Sequence, residues 1–347
     1  MTRRITTGFE ELDQFVLWDT VYAADNDVTF VQWERSPRAS YQVPEPRTGR
    51  GMFRSGNALA FVRNDTLDHP TELYFGVAVY APRYEGVNWL VAYTDDNGVY
   101  SNYLSLQTLG NGVINVTRTG TVIASSAVGT MTLNTWHYVE VWFKPLNANG
   151  RVVVIVDGST VIDFTGDTTA EEEYISAYLL QGTSNDTLYY TCFDDFVVND
   201  SAGASNNTYP GQVRLMPIKP ASAGNYAQWD RGGVDLGTDA AQVRNSYSFS
   251  LLQTSTADEY VTFIPDIPDL PVGATISNII VEVRAKVEAG AGVVAPMIRQ
   301  NGVDDIGSDF TLGTGFEITQ EVYPVNPDTA VAWVEADLAD LEIGVSS

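Results

Sequence analysis

The sequence predicts an all-β protein made of two β-sandwich domains, and three features support this prediction. Two long strand patterns follow each other between Asn134 and Gly158. Shorter strand patterns recur elsewhere with turn residues between them, which is typical of antiparallel sheets. A stretch of small polar residues at 199–211 separates two strand-rich halves.

The first long pattern, 136–143, carries bulky side chains on both faces, because successive residues of a strand point to opposite sides. The second pattern, 152–156, is an unbroken run of β-branched residues, and Asp157-Gly158 after it is a strong hairpin signal. Trp136, Tyr138, Glu140 and Trp142 share one face of the first strand, and His137, Val139, Val141 and Phe143 share the other.

Strand patterns of the all-β kind continue on both sides of the polar stretch. Apolar and polar residues alternate through 276–288, as in a strand with one buried face, and only 168–173 and 335–341 have helical character. We therefore expect a first domain at 1–200, a linker at 201–211 and a second domain at 212–347. The other predicted strands are 28–33, 58–63, 73–80, 89–93, 103–108, 113–117, 121–125, 212–217, 247–252, 260–263, 293–299 and 315–322.

The chain is strongly acidic, with 44 aspartate and glutamate residues against 19 lysine and arginine residues and a formal net charge of −25. Phosphate backbones and anionic membrane surfaces repel such a charge, so we expect neither nucleic-acid binding nor attraction to such surfaces. No apolar run is long enough to span a bilayer, so we expect no membrane insertion. Cys192 is the only cysteine, which excludes an intrachain disulfide. The first residues lack the apolar stretch of a signal peptide, and we expect synthesis in the cytosol.

Four segments resemble, in the right order, strands of the concanavalin A-like and laminin-G-like jelly rolls. This resemblance implies a jelly-roll β-sandwich for the first domain. The segments are Gly8-Phe9-Glu10, 72–79, the pattern Trp136-x-x-Val139-Glu140-Val141 with the following strand ending in Asp157-Gly158, and 193–198.

The second half resembles a domain of tailed-bacteriophage structural proteins through 225–229 and 326–345. Val334 departs from that pattern, which usually has threonine there as a helix N-cap. The resemblance implies a non-enzymatic structural protein on the outside of a virion, either a tail or fibre adhesin module or a head decoration protein. It also implies capsid or tail proteins as partners and a homo-oligomer, of which a trimer is one form.

Two aspartate pairs are candidate Ca²⁺ ligands, because this ion prefers carboxylate and carbonyl oxygens. Asp194 and Asp195 lie in a strand, where neighbouring side chains face opposite sides. Asp95 and Asp96 lie in a turn that lacks the full calcium-loop pattern. A structural strand and a plain turn are the alternatives, and we expect no cofactor.

A glucanase is one alternative function, because concanavalin-like folds include such enzymes. A retaining glycosidase needs two carboxyl groups about 5–5.5 Å apart. Glu140 is a candidate acid, but Trp142 occupies the same-face position where the second is needed, and 171–173 lies in a polar connection. His69 and His137 have no spaced partner for metal ligation or for a nucleophile.

A soluble glycan-binding lectin is the other alternative. Aromatic rings beside polar loop groups can stack on the C–H faces of sugar rings, and a host surface glycan is then a partner. Aromatic residues at a sandwich edge also pack against neighbouring subunits. The candidate glycan contacts, which flank the turn at 95–98, are Trp89, Tyr93, Tyr100 and Tyr103.

Much of the basic charge is concentrated in one loop-rich region. A local basic patch in an acidic chain can dock an acidic partner surface during assembly. Surface ion pairs with Glu34, Glu45 and Asp65 are the alternative. The candidate assembly patch is Arg35, Arg38, Arg47, Arg50 and Arg54, with Arg63 nearby in sequence.

Overall fold

A computed structural model of the chain forms two compact units, Met1–Met216 and Pro217–Ser347. Among the residues it describes, no helix is long and apolar enough to cross a bilayer. The described residues are 3–7, 21–22, 29–30, 47, 53–55, 59–63, 69–81, 86, 88–94, 102–169, 172–181, 191–202, 206–216, 218–233, 238–244, 250–315 and 317–347.

The strands of the first unit form two antiparallel sheets. Sheet A has seven strands and sheet B has eight. The strands are β1 (Arg3–Thr7), β2 (Val21–Tyr22), β3 (Thr29–Phe30), β4 (Phe53–Ser55), β5 (Leu59–Arg63), β6 (Leu73–Tyr80), β7 (Asn88–Tyr93), β8 (Tyr103–Thr108), β9 (Ile114–Arg118), β10 (Thr121–Ser125), β11 (His137–Lys144), β12 (Gly150–Val156), β13 (Ser159–Gly166), β14 (Ala177–Gln181) and β15 (Thr191–Asp200). Sheet A has the order β1-β15-β6-β11-β12-β13 with β4 also pairing β15, and sheet B has the order β10-β9-β8-β7-β14-β5-β3-β2.

One apolar core lies between sheets A and B. Phe75 and Val139 of sheet A and Leu104 and Tyr178 of sheet B are all completely buried in it. The rings of Phe75 and Tyr178 meet edge to face across the sandwich, with their centroids 5.4 Å apart. The predicted all-β class and jelly-roll β-sandwich are therefore confirmed.

The two long strand patterns of the sequence are β11 and β12. They pair antiparallel, with Val139 opposite Val156. The Asp157-Gly158 signal forms the turn from β12 to β13, and both residues have positive φ, 50° and 80°. Positive φ at both central residues is the geometry of a type I′ hairpin turn. Both strands and the hairpin are therefore confirmed.

The regular secondary structure of the second unit, in its described residues, is also mainly β-strand. Its main antiparallel sheet has the order β16-β19-β25-β21-β22 with β23 also pairing β21, and β17-β18 and β20-β24 form two-stranded ribbons. Val281, Ile298, Trp333 and Leu338 belong to one of its apolar clusters. The elements are β16 (Lys219–Ala227), β17 (Asp230–Gly233), α1 (Asp239–Arg244), β18 (Ser250–Gln253), β19 (Tyr260–Asp266), β20 (Ile279–Ala285), β21 (Gly292–Gln300), β22 (Val303–Ile306), β23 (Phe310–Leu312), β24 (Glu317–Tyr323) and β25 (Leu341–Ser346).

The two helical patterns have different outcomes. The described residues of 168–173 contain no helix, whereas Glu335–Asp340 is a 3-10 helix that begins after Val334. Valine cannot accept a hydrogen bond from the helix, but its own N–H donates to the Asp337 carboxylate at 2.9 Å. The helix start therefore keeps one of the two hydrogen bonds of a capping box, although it lacks the threonine that would form the other.

Candidate functional site

The outer face of sheet A, which points away from the core, is covered by residues 206–216, here called the strap. The strap belongs to the first unit. Asn199 on β15 donates its side-chain N–H to the carbonyl of Thr208 at 2.8 Å. Tyr209 then packs edge to face on Tyr74 of β6, with ring centroids 5.2 Å apart. The described part of the predicted linker, 206–211, is therefore held on the sandwich.

Glu140 fixes the middle of the strap. Its Oε1 accepts the Gly211 N–H at 2.7 Å, and burial raises the pKa of its carboxyl group. The face offers no room beside it, because a Cβ at Gly76 would lie 2.9 Å from Pro210. The carboxyl group that the sequence suggested as a glucanase acid is thus occupied by the strap. Glu171 lies outside the described residues, and Glu173 accepts the Asn147 N–H in an exposed connection.

Asp195 fixes the far end of the strap. Its Oδ1 accepts the Leu215 N–H at 2.8 Å, and its Oδ2 accepts a hydrogen bond from Arg47. Arg47 also donates to the Val213 carbonyl at 2.8 Å, and its guanidinium lies 4.9 Å from the centre of the Tyr138 ring. The side chain of Asp195 is completely buried.

The candidate calcium ligands have other roles where the structure describes them. Asp194 accepts the Asp195 N–H at 2.8 Å, within a β-bulge where Asp195 has a φ of 51°. The bulge turns the Asp195 carboxylate toward Arg47 and the strap. Across the described residues, no three His, Cys, Asp or Glu side chains are grouped to hold a metal ion. Asp95 and Asp96 lie outside the described residues.

The arginine patch is described only at Arg47 and, in backbone alone, at Arg54 and Arg63. Arg54 lies on β4 opposite Cys192, and Arg63 lies on β5 opposite Ala177. Arg47 points into the strap and is 14% exposed, so it is not part of an open basic surface. Arg35, Arg38 and Arg50 lie outside the described residues.

His137 stabilises a turn. Its Nδ1 lies 2.7 Å from Asp157 Oδ2, and its Nε2 accepts the Thr132 N–H at 2.9 Å. The acceptor role of Nε2 places the proton on Nδ1, which donates to Asp157. Asp157 also accepts the Tyr138 N–H at 2.9 Å, so these contacts connect the 132–136 turn to the β12–β13 hairpin.

Of the four aromatic residues proposed to contact glycan, Trp89 lies in the core. Its side chain is 1% exposed, its indole N–H donates to Thr108 Oγ1 at 2.9 Å, and its ring packs near Phe193. A β-bulge between Asn88 and Leu90 accounts for this inward position beside the inward Leu90. Trp89 is therefore not available to a ligand, and Tyr100 lies outside the described residues.

Tyr93 and Tyr103 lie on the outer face of sheet B, where they are directly paired in register. Their rings meet edge to face at 6.1 Å. Tyr93 is buried, whereas Tyr103 is half-buried and its hydroxyl makes no hydrogen bond with the described residues. Leu104 and Ala92, which follow the opposite parity, enter the core.

Two further cross-strand pairs continue from the tyrosines along β8. The hydroxyls of Ser105 and Thr117 are 2.6 Å apart, and Asn115 donates to Gln107 at 3.4 Å. Both pairs are in register between β8 and β9. At the far end, exposed Ser125 donates to Asn115 at 2.7 Å, and Gln107 donates to the carbonyl of Gly86.

These three pairs are here called the β8 ladder: Tyr93 with Tyr103, Ser105 with Thr117, and Gln107 with Asn115. The polar members were not singled out from the sequence. The signal was present, because polar residues alternate with Leu104, Leu106, Ile114 and Val116 in the two strands. Alternation alone predicts a solvent-exposed face. Only the register between β8 and β9 places the hydroxyl pair and the amide pair next to the tyrosine pair.

No protein-family model and no curated protein matches this sequence. The chain is similar in structure to alginate lyase Aly36B, with 17% identity over 44% of this chain and 82% of that chain and a TM-score of 0.31. It is similar to the cellulose-induced protein Cip1, with 11% identity over 59% and 98% of the chains and a TM-score of 0.38. It is also similar to the carbohydrate-binding module CBM66 from Bacillus subtilis, with 12% identity over 44% and 87% and a TM-score of 0.31.

One expectation from the sequence requires correction here. The chain was expected not to be an enzyme, but the similar structures include alginate lyase Aly36B and an endo-β-1,4-glucuronan lyase from Trichoderma reesei. Exclusion of enzymes is therefore contradicted, and we do not retain it. Because every TM-score given above is below 0.5, we transfer no activity from these proteins to this chain.

Proposed function

We propose that the first unit binds glycans through the outer face of sheet B. The observation that carries this proposal is the β8 ladder, which combines an aromatic pair, a hydroxyl pair and an amide pair on one face of adjacent strands. Sugar hydroxyls are both donors and acceptors, and so are the Ser, Thr, Asn and Gln side chains. Aromatic rings supply apolar area beside a polar group.

The two ends of the β8 ladder are the parts that a ligand reaches first. Tyr103 and Gln107 are half-buried, and Ser125 beyond Asn115 is exposed. The Tyr103 hydroxyl has no hydrogen bond among the described residues, and the Gln107 amide keeps a second N–H and a second lone pair, whereas Asn115 is buried. Ser105 and Thr117 are buried between these ends and satisfy each other, so a ligand reaches the β8 ladder only at Tyr103 and Gln107.

The outer face of sheet A supports this choice by contrast. The strap covers it at Tyr74, Glu140 and Asp195, so the side chains that recognise polar groups there already have partners. The Trp142 ring also has neighbours, because the Tyr74 ring stacks on it at 5.6 Å and the guanidinium of Arg151 lies 5.2 Å from its centre.

The test is affinity electrophoresis of the purified chain through gels that contain soluble polysaccharides. We expect retardation by at least one polysaccharide, a loss of retardation in Tyr103→Ala, and partial retention in Tyr103→Phe, which keeps the ring. Tyr260→Ala in the second unit is the matched control, because Tyr260 is also half-buried on a strand. Equal retardation of all three variants and the wild type would place any binding elsewhere.

We propose further that the chain is displayed on the outside of a tailed-phage virion, as a tail or fibre module or as a head decoration, and as a homo-oligomer. The sequence resemblance of 225–229 and 326–345 is what supports this proposal. Immunogold electron microscopy of purified virions tests it. Label on tail fibres would agree with glycan adhesion, label on the head with decoration, and no label on any particle, with the epitope accessible, would contradict display.

A further inference from the structure

We infer that β10 at the end of sheet B is the interface of a homodimer, in which it pairs antiparallel with β10 of a second copy of this chain. This inference rests on the homo-oligomer of the proposed function and names its interface. It does not depend on glycan binding.

The first argument is that β10 is an open sheet edge. It is the last strand of sheet B and, within the part of the chain that the structure describes, it pairs only with β9. The segment after it continues along the same edge, because the Ser126 N–H donates to the Ile114 carbonyl and the Gly129 N–H donates to the Asn111 carbonyl, both at 2.9 Å. The backbone groups on the outer side of such an edge are a template for another strand.

The second argument is that this edge is accessible and partly apolar. Thr121, Val122 and Ser125 of β10 are exposed, whereas Ile123 between them packs against the core. Val122 is 48% exposed, and Val128 in the following segment is 73% exposed. Two exposed valines beside an open edge supply apolar area that a paired strand would bury.

The third argument compares β10 with the other strands at the ends of the main sheets. Natural sheet edges avoid pairing by being very short or by carrying charges or proline. β2 has two residues, whereas β10, with the sequence Thr-Val-Ile-Ala-Ser, has five and contains no charge and no proline. A β-bulge between Val122 and Ala124 twists β10 but adds no charge. The remaining end strands contain Arg3 and Arg4 in β1, Asp163 in β13, Lys219 and Pro220 in β16, and Asp304 and Asp305 in β22.

The fourth argument identifies the occupant as a second copy of the chain. A formal net charge of −25 makes two copies repel each other through most of their surfaces. From 97 to 136, a stretch that contains β8, β9 and β10, the only charged residue is Arg118, and it is ion-paired with Asp167. Contact through β10 therefore brings few like charges together. Antiparallel pairing of one strand with its own copy also has two-fold symmetry, so the contact closes at two chains.

The experiment measures the oligomeric state of the full chain by sedimentation velocity over a range of concentrations. The variants are Val122→Glu and Val128→Glu, which place a carboxylate of each copy at the interface. Val303→Glu is the matched control, because Val303 is an exposed valine on the edge strand β22 of the second unit. Circular dichroism melting checks that each variant is folded. Hydrogen exchange of the wild type gives a second readout that needs no substitution.

We expect the wild type to form a dimer. Its dissociation constant should rise about tenfold or more in Val122→Glu and Val128→Glu, because like charges that face each other across an interface are unfavourable. It should not change in Val303→Glu. The backbone N–H groups of 121–125 should exchange more slowly at high protein concentration, since pairing with the second copy protects them.

Two results would overturn this interface but keep the homo-oligomer. One is a dimer that both β10-edge variants retain while folded, and the other is a trimer as the only oligomer, which a two-fold strand pair does not form. A monomer at every concentration, with exchange of 121–125 independent of concentration, would overturn the interface and the homo-oligomer together. Neither result would affect glycan binding, which affinity electrophoresis tests separately.

Discussion

Arg47 donates to the buried carboxylate of Asp195, and this ion pair fastens the strap to the outer face of sheet A. The pair is not isolated, since Arg47 also donates to the Val213 carbonyl and Asp195 accepts the Leu215 N–H. Sequence positions 47, 195 and 213–215 thus meet at one point. These contacts give Asp195 a role other than the predicted calcium ligation, and they give Arg47 a role other than the predicted docking of a partner.

Loss of this carboxylate should be costly. Asp195→Ala leaves the guanidinium of Arg47 without its charged partner in a buried position, and breaking a buried ion pair in this way costs about 3–5 kcal/mol. We expect a lower urea midpoint for the first unit and faster proteolysis within 206–216. Asp163→Ala is the matched control, because it breaks the solvent-exposed pair with Arg151 and should leave the midpoint nearly unchanged. Equal shifts in both variants would refute the role of burial.

Glu140 should make stability depend on pH in the acid range. Burial raises the pKa of its carboxyl group, so the folded protein holds this proton more tightly than the unfolded chain does. Its contribution is therefore greatest below the ordinary glutamate pKa and is lost as the pH rises through the folded-state pKa.

The substitution Glu140→Gln keeps an oxygen that accepts the Gly211 N–H and removes the ionisation. We expect this variant to melt at a higher temperature than the wild type at neutral pH, with the difference vanishing in acid. Calorimetry across the pH range measures it, and a variant less stable at neutral pH would mean that the charged hydrogen bond outweighs desolvation.

Tyr209 should make stability depend on pH in the alkaline range. Burial against sheet A raises the pKa of its phenol to about 12. Because the unfolded chain loses this proton first, the contribution of Tyr209 is intact below the ordinary tyrosine pKa of about 10 and falls as the pH rises toward the folded value.

In Tyr209→Phe the phenol is absent and the ring remains, so we expect a smaller alkaline loss of stability than in the wild type. Titration of the phenolate absorbance gives an independent readout. In Tyr209→Phe we expect one fewer tyrosine to ionise at the high pH where Tyr209 loses its proton. Superimposable titrations after correction for one ordinary tyrosine would show that Tyr209 is not buried against sheet A.

Substitutions at Trp89 and Tyr103 should distinguish a loss of stability from a loss of glycan binding. Trp89→Ala removes a buried indole and the hydrogen bond that it donates to Thr108, and such a truncation costs about 3–5 kcal/mol. A loss of glycan binding in that variant would reflect unfolding. We expect Trp89→Phe to bind glycan like the wild type and Tyr103→Ala to be folded but defective. Defective binding in folded Trp89→Phe would contradict the core position.

The sequence by itself determined the all-β class, the β11–β12 pair and the Asp157-Gly158 turn. Each of these is a local property, because strand parity, β-branching and positive φ at a turn act between near neighbours in the chain. The β20 strand was predicted in the same way and is shorter by a few residues at both ends.

Only the tertiary structure decided which polar and aromatic residues meet. A β-bulge turned Trp89 into the core, and another turned Asp195 toward Arg47, although parity alone predicted neither. Residues 206–211 were predicted as part of a free linker and 212–217 as a strand of the second domain, but the described residues 212–216 form no strand. Both predictions failed because the contacts of this segment with Glu140 and Asp195 cross 71 and 20 positions of sequence. Register between separate strands likewise assembled the β8 ladder. Long-range pairing of this kind depends on the packing of whole sheets, which a local pattern does not contain.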